Sequence, residues 1–352
     1  MTTQNGRLPV TLTLWLKSWI TKEGLSTNYR LELLVGDGSN RSFYRLAFGD
    51  AKEDNTYIIL SDPSWTLSKD YPPHQLFLQQ HGIPVPEFFD FNAKAGCLVM
   101  ADLGDELLQQ RILTQPARRE FWLQASVKLL AKLHGETFPV PTNLPVAQRR
   151  FDSQKYIAEL LFTSEHLREK VLGLSPYSVG ELGAVQNYCE MLEKISVDAF
   201  SHRDFHTRNL LIKNDTLWMI DFQDARLGPV HYDLASLLYD AYVPTSPSER
   251  EELIALYRKE ISAFPLGKQL NWDSFENELS CIAFQRVVKA AGSFASFFTR
   301  YGKKTHLPYL QPALRSALEL QNRTPALGGV LKPVFPIADW IQRVQDWEEK
   351  QA

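Results

Sequence analysis

Cysteine is scarce in this chain, and long apolar runs are missing from it. The three cysteines, Cys97, Cys189 and Cys281, lie far apart in 352 residues and form no CxxC pair. This spacing argues against a disulfide framework and a cysteine zinc site, and it favours a reducing compartment, which we take to be the cytoplasm. No segment approaches the ~20 apolar residues that a membrane-spanning helix needs, so we expect no membrane partner.

An excess of positive charge is also missing. The chain has 38 Lys and Arg residues against 41 Asp and Glu residues, a formal net charge of −3, and no long basic run. Non-specific nucleic-acid binding needs a basic surface that replaces the phosphate counterions, so we expect no nucleic-acid partner. With 44% hydrophobic residues, the chain has enough apolar material for one domain or two packed lobes.

The predicted secondary structure changes near residue 101, from short strands to long helices. Apolar residues at helical spacing between Leu12 and Ile20 predict an opening helix that ends near Gly24. Short β-prone runs bounded by turn residues predict strands at 30–34, 43–48, 57–60 and 97–101, with a helix around 74–81. Later helical patterns cover 122–133, 153–170, 178–195, 232–241, 248–262, 272–301 and 307–320, interrupted by a strand pair at 210–213 and 216–220. We therefore expect an α+β fold, with a sheet-rich lobe over residues 1–101 and a larger, mainly helical lobe over residues 102–352.

The most informative stretch is HRDFHTRNL at 202–210, followed by DFQD at 221–224. Asp204 and Asn209 are five residues apart in a predicted loop, and Asp221 follows twelve residues after Asn209 at the end of a predicted strand. A strand pair between them would bring Asp221 back beside Asn209. Oxygen ligands from Asn and Asp suit Mg²⁺, which prefers few protein ligands together with water and phosphate oxygens. Asn209 and Asp221 are therefore candidate magnesium ligands, and Asp204 is left to accept a proton from a substrate hydroxyl.

This ordered set has the spacing of the phosphoryl-transfer centre of protein kinases, in which an HRD loop carries an Asn five residues after its Asp and a metal-binding Asp follows. Two alternatives stay open. In the first, the two carboxylates only cap turns. The second is a metal hydrolase with zinc or iron among His202, Asp204, His206, Asp221 and His231. That alternative leaves the Asn of the pattern without a role and does not account for a β-rich first lobe.

A turn rich in small residues, GDGSNRSF at 36–43, lies between two predicted strands of the first lobe. The backbone N–H groups of such a turn can contact phosphate oxygens. Taken alone, the turn is equally an ordinary hairpin connection. Together with the downstream pattern it favours a nucleotide contact, for which the candidate residues are Gly36, Gly38, Ser39, Asn40 and Ser42.

The connector after the strand at 97–101 is a candidate site for an adenine ring. The base would bond the backbone between Met100 and Leu103, so Met100 and Asp102 are included among the candidate cofactor-binding residues. An ordinary exit turn is the alternative, and for the side chains of Asp102 and Asp105 it is the favoured one.

Polar residues after the DFQD segment have supporting or substrate roles in this interpretation. Asp233 opens a predicted helix, where it would cap the helix and bond the backbone of the catalytic loop. Arg208, Asp224 and Arg226 flank the predicted chemistry and are the candidate substrate contacts.

The segments HRDFHTRNLLI and IDFQDARLGPVHYDLASLLYD resemble the aminoglycoside phosphotransferase-like branch of the kinase fold. With GDGSNRSFYRL, VMADLGD and FQRVVKAAGSFASFFTRYGKKTHLPYL, they are similar to bacterial anomeric sugar kinases, which phosphorylate the C1 hydroxyl of N-acetylmuramate and N-acetylglucosamine in cell-wall recycling. The similarity spans about residues 12–320. It implies a two-lobed protein-kinase-like fold, ATP and Mg²⁺ as cofactors, Asp204 as catalytic base, and Asn209 and Asp221 as magnesium ligands. Spacing and residue chemistry alone support only an Mg²⁺-dependent phosphotransferase.

One departure from protein kinases concerns the strand lysine that pairs the α- and β-phosphates and is held by a helix Glu. The strand at 57–60 has no Lys, and the next helix has no Glu. The sugar-kinase branch also lacks the strand lysine. Lys69 is the nearest replacement, although a solvated lysine is an equally good interpretation, and Lys52 and Arg41 are weaker replacements.

The leading hypothesis is therefore an ATP- and Mg²⁺-dependent kinase of a sugar hydroxyl. A kinase of another small alcohol, such as an aminoglycoside or choline, is the alternative within the enzyme class. A pseudokinase that binds nucleotide as a scaffold is the alternative outside it.

Overall fold

The computed structural model describes residues 10–34, 41–49, 56–62, 64, 68–195, 197–329 and 331–351. The chain divides into two compact units. The first unit is built from Met1–Leu107 and Leu210–Asp224, and the second from Leu108–Asn209 and Ala225–Ala352. The chain therefore leaves the first unit, returns to it for one hairpin, and ends in the second unit.

Elements are numbered in chain order through the whole molecule. The first unit contains α1 (Val10–Lys22), β1 (Tyr29–Leu34), β2 (Ser42–Phe48), β3 (Thr56–Ser61), α2 (Tyr71–Gln80), β4 (Phe88–Asn92), β5 (Cys97–Ala101), β7 (Leu210–Lys213) and β8 (Thr216–Met219). The first five strands form one antiparallel sheet in the order β1-β2-β3-β5-β4, and β7 and β8 form a separate hairpin.

The second unit is mainly helical. It contains α3 (Leu108–Thr114), α4 (Arg119–Glu136), α5 (Ser153–Thr163), α6 (Val179–Glu193), β6 (Ala199–Ser201), β9 (Arg226–Gly228), α7 (Val230–Leu238), α8 (Pro247–Ile261), α9 (Phe275–Tyr301), α10 (Leu310–Arg323), α11 (Pro325–Gly328), α12 (Leu331–Val334) and α13 (Ile337–Gln351). The 27-residue helix α9 is buried along most of its length, and α5, α7 and α10 pack against it. β6 and β9 pair as a short antiparallel ladder.

Helix α1 covers one face of the five-stranded sheet. Its apolar side chains recur at helical spacing, so they lie on one side of the helix, and the burial of each large side chain contributes about 1.5–3 kcal/mol. The buried residues of this contact are Leu12, Leu16, Trp19 and Ile20 from the helix and Leu46, Phe48, Ile59, Cys97 and Val99 from the sheet. Because side chains alternate along a strand, Arg45 and Met100 point to the opposite face of the sheet.

The β7–β8 hairpin is tied to the first unit by backbone hydrogen bonds. The N–H of Ile212 donates to the carbonyl of Glu106 at 2.8 Å, and the N–H of Met219 donates to the carbonyl of Pro84 at 2.8 Å. The ring of Phe222, just beyond the hairpin, packs against the ring of Tyr71 with a centroid distance of 4.6 Å. The chain segment that carries Asp221 is therefore fixed within the first unit.

The predicted opening helix, the four predicted strands, the strand pair and the long helical patterns are confirmed, with end shifts of a few residues. The predicted helix at 153–170 is an α-helix to Thr163 followed by a π-helical turn at Ser164–Glu169. The sequence patterns did not identify β4, β6, β9, α3, α11, α12 or α13. Six of these elements have seven residues or fewer, too few for a clear periodicity.

All three cysteines are buried thiols. Burial raises their pKa values, to about 12 for Cys97 and Cys189 and to about 11 for Cys281. These thiols are therefore un-ionised at neutral pH and poor nucleophiles. Within the described ranges, no helix is both long enough and apolar enough to cross a bilayer.

Candidate active site

The segment 202–209, which we call the catalytic loop, is anchored by Asp233 of α7. The Asp233 carboxylate accepts the backbone N–H of His202 at 2.6 Å and that of Arg203 at 2.8 Å. Nε2 of His134 lies 3.3 Å from the same carboxylate, and Asp233 is fully buried. The predicted bond between Asp233 and the loop is confirmed. The predicted cap is wrong, because α7 begins at Val230 and the Asp233 side chain does not cap it.

The far end of the catalytic loop is held by Asp240, which follows α7. Its carboxylate accepts both the backbone N–H and the hydroxyl of Thr207, at 2.9 and 2.6 Å. Within the loop, Nδ2 of Asn209 donates to the carbonyl of Asp204 at 2.9 Å. Arg203 has a φ of +79°, a conformation that costs non-glycine residues about 1–3 kcal/mol and is concentrated at functional sites. The loop is therefore held in a strained conformation by contacts at both ends.

The Asp204 carboxylate is bound by two basic side chains of α9. Nζ of Lys289 donates to its Oδ1 at 2.9 Å, and the guanidinium of Arg286 lies 3.6 Å from the same atom. Burial alone would raise the pKa of Asp204, but the positive charges of Lys289, Arg203 and Arg286 hold it well below its ordinary value. The side chain keeps 28% of its surface exposed. Asp204 is therefore an ionised, oriented carboxylate that a ligand can reach.

A second buried carboxylate, Glu159 of α5, lies behind the catalytic loop. It contacts Arg203 and Lys155, each at 3.2 Å, and accepts hydrogen bonds from Gln285 at 3.1 Å and Tyr232 at 3.3 Å. Although burial would raise its pKa, the neighbouring cations lower it to about 2. Glu159 is therefore ionised at neutral pH and holds the arginine that precedes Asp204.

Sequence reasoning did not identify Lys289, Arg286 or Glu159. Arg286 and Lys289 lie three residues apart on α9, within a stretch that is otherwise almost wholly apolar and buried. Charged residues are rarely buried unless they are paired. Such a pair inside an apolar helical pattern is the signal that would have found them.

Asp221 lies in the first unit, shortly after β8. Its Oδ1 accepts a hydrogen bond from Nε2 of Gln223 at 2.5 Å and lies 3.5 Å from the guanidinium of Arg41. The residue has a φ of +64°, and 42% of its side chain is exposed. In the second unit, Asn209 uses its amide nitrogen to bind the Asp204 carbonyl, which leaves its amide oxygen to accept. A carboxylate and an amide oxygen are donors that fit Mg²⁺.

Four residues of the predicted phosphate turn, Gly36, Gly38, Ser39 and Asn40, lie outside the described residues. Ser42 is the first residue of β2 and is partly exposed. Lys69 is exposed on a 3₁₀ turn, Ser68–Asp70, directly before α2. Lys52 also lies outside the described residues, whereas Arg41 contacts the predicted metal ligand Asp221.

The connector after β5 is fixed by Arg45 of β2. Nε and one terminal nitrogen of Arg45 donate to the Asp102 carboxylate at 2.6 and 3.1 Å, and both terminal nitrogens donate to Asp105 at 2.7 and 2.8 Å. Burial would raise the pKa of Asp102, but Arg45 and the N–H of Gly104 lower it. The carbonyl of Asp102 accepts from Nζ of Lys213 at 2.8 Å. The Asp102 side chain therefore has structural partners, while Met100 is a buried residue of β5.

A cleft of about 330 Å³ lies beside this connector, within the first unit. It is lined by Glu87, Ala101, Leu103, Lys213, Asn214, Thr216 and Trp218. Ala101 ends β5 and Leu103 lies in the connector for which the sequence predicted an adenine contact, so the start of this connector borders an open space.

The three candidate substrate contacts lie in different places. Asp224 ends the first unit, whereas Arg208 and Arg226 belong to the second unit. The guanidinium of Arg208 lies 4.8 Å from the ring centroid of Tyr242 and 3.3 Å from Nε2 of His306. Arg226 begins β9 next to the end of β6.

The metal-hydrolase alternative is not supported by the described residues. Among them, no group of three or more His, Cys, Asp and Glu side chains is arranged to hold a metal ion. His231 packs against the ring of Phe275 at a centroid distance of 4.2 Å, as a core residue does.

The sequence of this chain is similar to those of known phosphotransferases. The sequence profile described as "Phosphotransferase enzyme family" matches residues 75–266. The N-acetylmuramate/N-acetylglucosamine kinase of Pseudomonas putida is 30% identical over 297 residues, which cover 84% of this chain and 85% of that protein. The protein of the same name from Neisseria meningitidis serogroup B is 26% identical over 328 residues, covering 88% and 90%.

A solved structure, the ADP-bound aminoglycoside phosphotransferase APH(2'')-Ib, superposes with a TM-score of 0.59 at 13% identity, covering 89% of this chain and 99% of that one. This likeness confirms the predicted fold class, a kinase-like fold with an antiparallel sheet and a mainly helical remainder. The profile match covers more than half of the chain, including the loop with Asp204 and the segment with Asp221. The chain belongs to the phosphotransferase enzyme family.

Proposed function

We propose that this protein is an ATP- and Mg²⁺-dependent sugar kinase that phosphorylates the anomeric hydroxyl of N-acetylmuramate and N-acetylglucosamine. The observation that carries the chemistry is Asp204, an ionised and accessible carboxylate fixed by Lys289 on a loop anchored at both ends. The observation that supports the acceptor is the shared name of the relatives, which match this chain over most of its length.

In the proposed reaction, Asp204 orients the attacking hydroxyl of the sugar and accepts its proton as the new O–P bond forms. The bond between the γ-phosphorus of ATP and the oxygen that bridges it to the β-phosphate breaks, and ADP leaves. A base that stays ionised through neutral pH is in the correct protonation state to accept this proton. Lys289 holds the Asp204 carboxylate in one orientation. The carboxylate therefore loses less conformational entropy when the sugar binds.

We propose Asn209 and Asp221 as the magnesium ligands on the basis of residue type and sequence spacing. Bound magnesium would neutralise negative charge on the phosphate oxygens of ATP. Arg41 contacts Asp221 in the first unit, so we propose it, ahead of the exposed Lys69, as the cation that substitutes for the missing strand lysine.

The experiment is an assay of ADP release from ATP and Mg²⁺ with N-acetylmuramate, N-acetylglucosamine, glucose, choline and kanamycin. We expect turnover with the two N-acetyl sugars, and its loss in Asp204→Asn by about 10³-fold or more, as for a residue that acts in the transition state. Turnover of choline or kanamycin alone would favour another small-alcohol kinase. ATP binding without turnover of any compound would favour the pseudokinase interpretation.

A further inference from the structure

Four basic side chains gather beside the catalytic loop on neighbouring segments of the second unit. Arg226 begins β9, which pairs with β6 shortly before Arg203. On the other side of β9, its central residue exchanges backbone hydrogen bonds of 2.8 and 2.9 Å with segment 149–151. Arg149 belongs to this segment, and Lys155 lies on the first turn of α5, directly after it. The backbone alone therefore brings the four residues close together.

The charges of this cluster are near enough to perturb one another. Burial and the positive charges of Arg203 and Arg226 lower the pKa of Lys155. Burial and the positive charges of Arg203 and Arg149 lower the pKa of Arg226. Glu159 lies 3.2 Å from both Lys155 and Arg203. Asp152, whose carboxylate accepts the N–H of Lys155 at 2.7 Å, and Asp204, which follows Arg203, are also close, so four basic groups face three carboxylates and keep an excess of positive charge.

Such a cluster opposes folding, because each partly desolvated cation repels the others. Arg149, Lys155 and Arg226 all remain partly exposed, so a ligand can reach them. A guanidinium has five N–H donors in a planar fork, so existing contacts are compatible with a further bidentate bond to a carboxylate. The arrangement is typical of an anion-binding surface.

The two sugars of the proposed function differ in one charged group. N-acetylmuramate carries a lactyl ether on O3 that ends in a carboxylate, and N-acetylglucosamine has a hydroxyl there. C3 and the anomeric carbon C1 are both neighbours of C2, so the carboxylate must bind within about one sugar ring of the base. Arg203 directly precedes Asp204, and Glu159 lies 3.2 Å from both Arg203 and Lys155, so the basic cluster adjoins the segment that carries the base.

We propose that Arg149, Lys155 and Arg226 form a carboxylate subsite that binds the lactyl group of N-acetylmuramate while Asp204 binds its anomeric hydroxyl. This inference rests on the proposed function and adds a specificity to it. The subsite gives N-acetylmuramate a lower KM than N-acetylglucosamine, and the neutral sugar is phosphorylated without its help.

The test is steady-state kinetics of Arg149→Gln, Lys155→Gln and Arg226→Gln with each sugar, together with calorimetric binding of both sugars. We expect kcat/KM to fall about 10- to 100-fold more for N-acetylmuramate than for N-acetylglucosamine, through a higher KM, because a hydrogen bond between two charged groups is lost. The matched control is Arg150→Gln, because Arg150 is 53% exposed and pairs with Asp198 at 2.5 Å. It should leave both sugars unaffected.

N-acetylglucosamine lacks the lactyl carboxylate, so activity with this sugar shows whether a variant is folded and whether its catalytic loop is intact. Equal losses for both sugars in all three variants would overturn the subsite, and so would an unchanged KM for N-acetylmuramate. If neither sugar is phosphorylated by the wild type, the proposed function fails. In that case, N-acetylmuramate binding that is weakened by the three variants would still support the subsite, and no binding would overturn it.

Discussion

At the scale of single residues, the proposed chemistry depends on charges that come from distant parts of the sequence. The sequence indicated Asp204, Asn209 and Asp221 as candidates, because their spacing is local and typical of phosphoryl transfer. Lys289 could not, because it reaches Asp204 from a helix far along the chain, and only the packing of that helix brings the two together.

Replacing Lys289 by Met tests its role as a positioning residue. Without the ammonium group, the Asp204 carboxylate loses its shortest contact, so we expect kcat to fall about 10- to 100-fold while KM for ATP stays nearly unchanged. Lys289→Arg should recover part of the activity, because it restores the charge. Arg300→Met, an exposed site on the same helix, is the control. Full activity of Lys289→Met would show that the contact has no catalytic role.

Replacing Asp221 by Ala tests the metal assignment. Because 42% of the Asp221 side chain is exposed, we expect the variant to fold, with a Tm lowered by a few degrees at most, since the buried Gln223 loses a hydrogen-bond partner. Turnover should fall about 10³-fold or more, since a metal ligand is lost. Thermal unfolding and ADP release are measured on the same sample. Retained turnover would refute Asp221 as a magnesium ligand.

At the scale of elements, α7 fixes the catalytic loop. Asp233 on this helix and Asp240 just after it accept four hydrogen bonds from the loop, two each. The sequence indicated the helix and the role of Asp233, because an Asp near a helix start is a familiar anchor. It did not indicate β6 and β9, whose three residues each are too short for a strand pattern.

Asp233→Ala should destabilise the protein, because it leaves two buried backbone N–H groups without an acceptor. We expect the free energy of unfolding to fall by about 3 kcal/mol, measured by urea denaturation. The control is Asp339→Ala on α13, where an exposed pair with Arg343 is removed and the expected change is below about 0.5 kcal/mol. Equal effects of the two substitutions would contradict the anchoring role.

At the scale of the whole molecule, the order of motifs along the chain was sufficient to predict the kinase-like fold class. The predicted chemistry is distributed over both units, with Asp204 and Asn209 in one and Asp221 in the other. The buried charges around the catalytic loop could be identified only from the structure, because no sequence motif marks a carboxylate such as Glu159.

These buried charges predict how stability depends on pH. The pKa of Glu159 is about 2 in the folded protein and near 4.5 when unfolded, so its stabilisation is present above about pH 4.5 and is lost as the pH falls towards 2. Lys155, Arg203 and Lys289 are its charged neighbours, and Gln285 and Tyr232 its hydrogen-bond donors. Glu159→Gln should be less stable than the wild type by about 3 kcal/mol at pH 7.

This difference should narrow as the pH is lowered from 7 through 4.5 to 3, measured by urea unfolding at each pH. A difference that stays constant over this range would show that Glu159 does not carry a lowered pKa in the folded protein.

The central claim, transfer of phosphate to an anomeric hydroxyl, is tested most directly by NMR of the product. The wild-type protein is incubated with ATP, Mg²⁺ and N-acetylglucosamine, and phosphorus–proton correlation locates the new ester. We expect one sugar phosphate whose phosphorus couples to the proton on C1, and none with Asp204→Asn. Coupling to the protons on C6, or ATP consumption without a sugar phosphate, would contradict it.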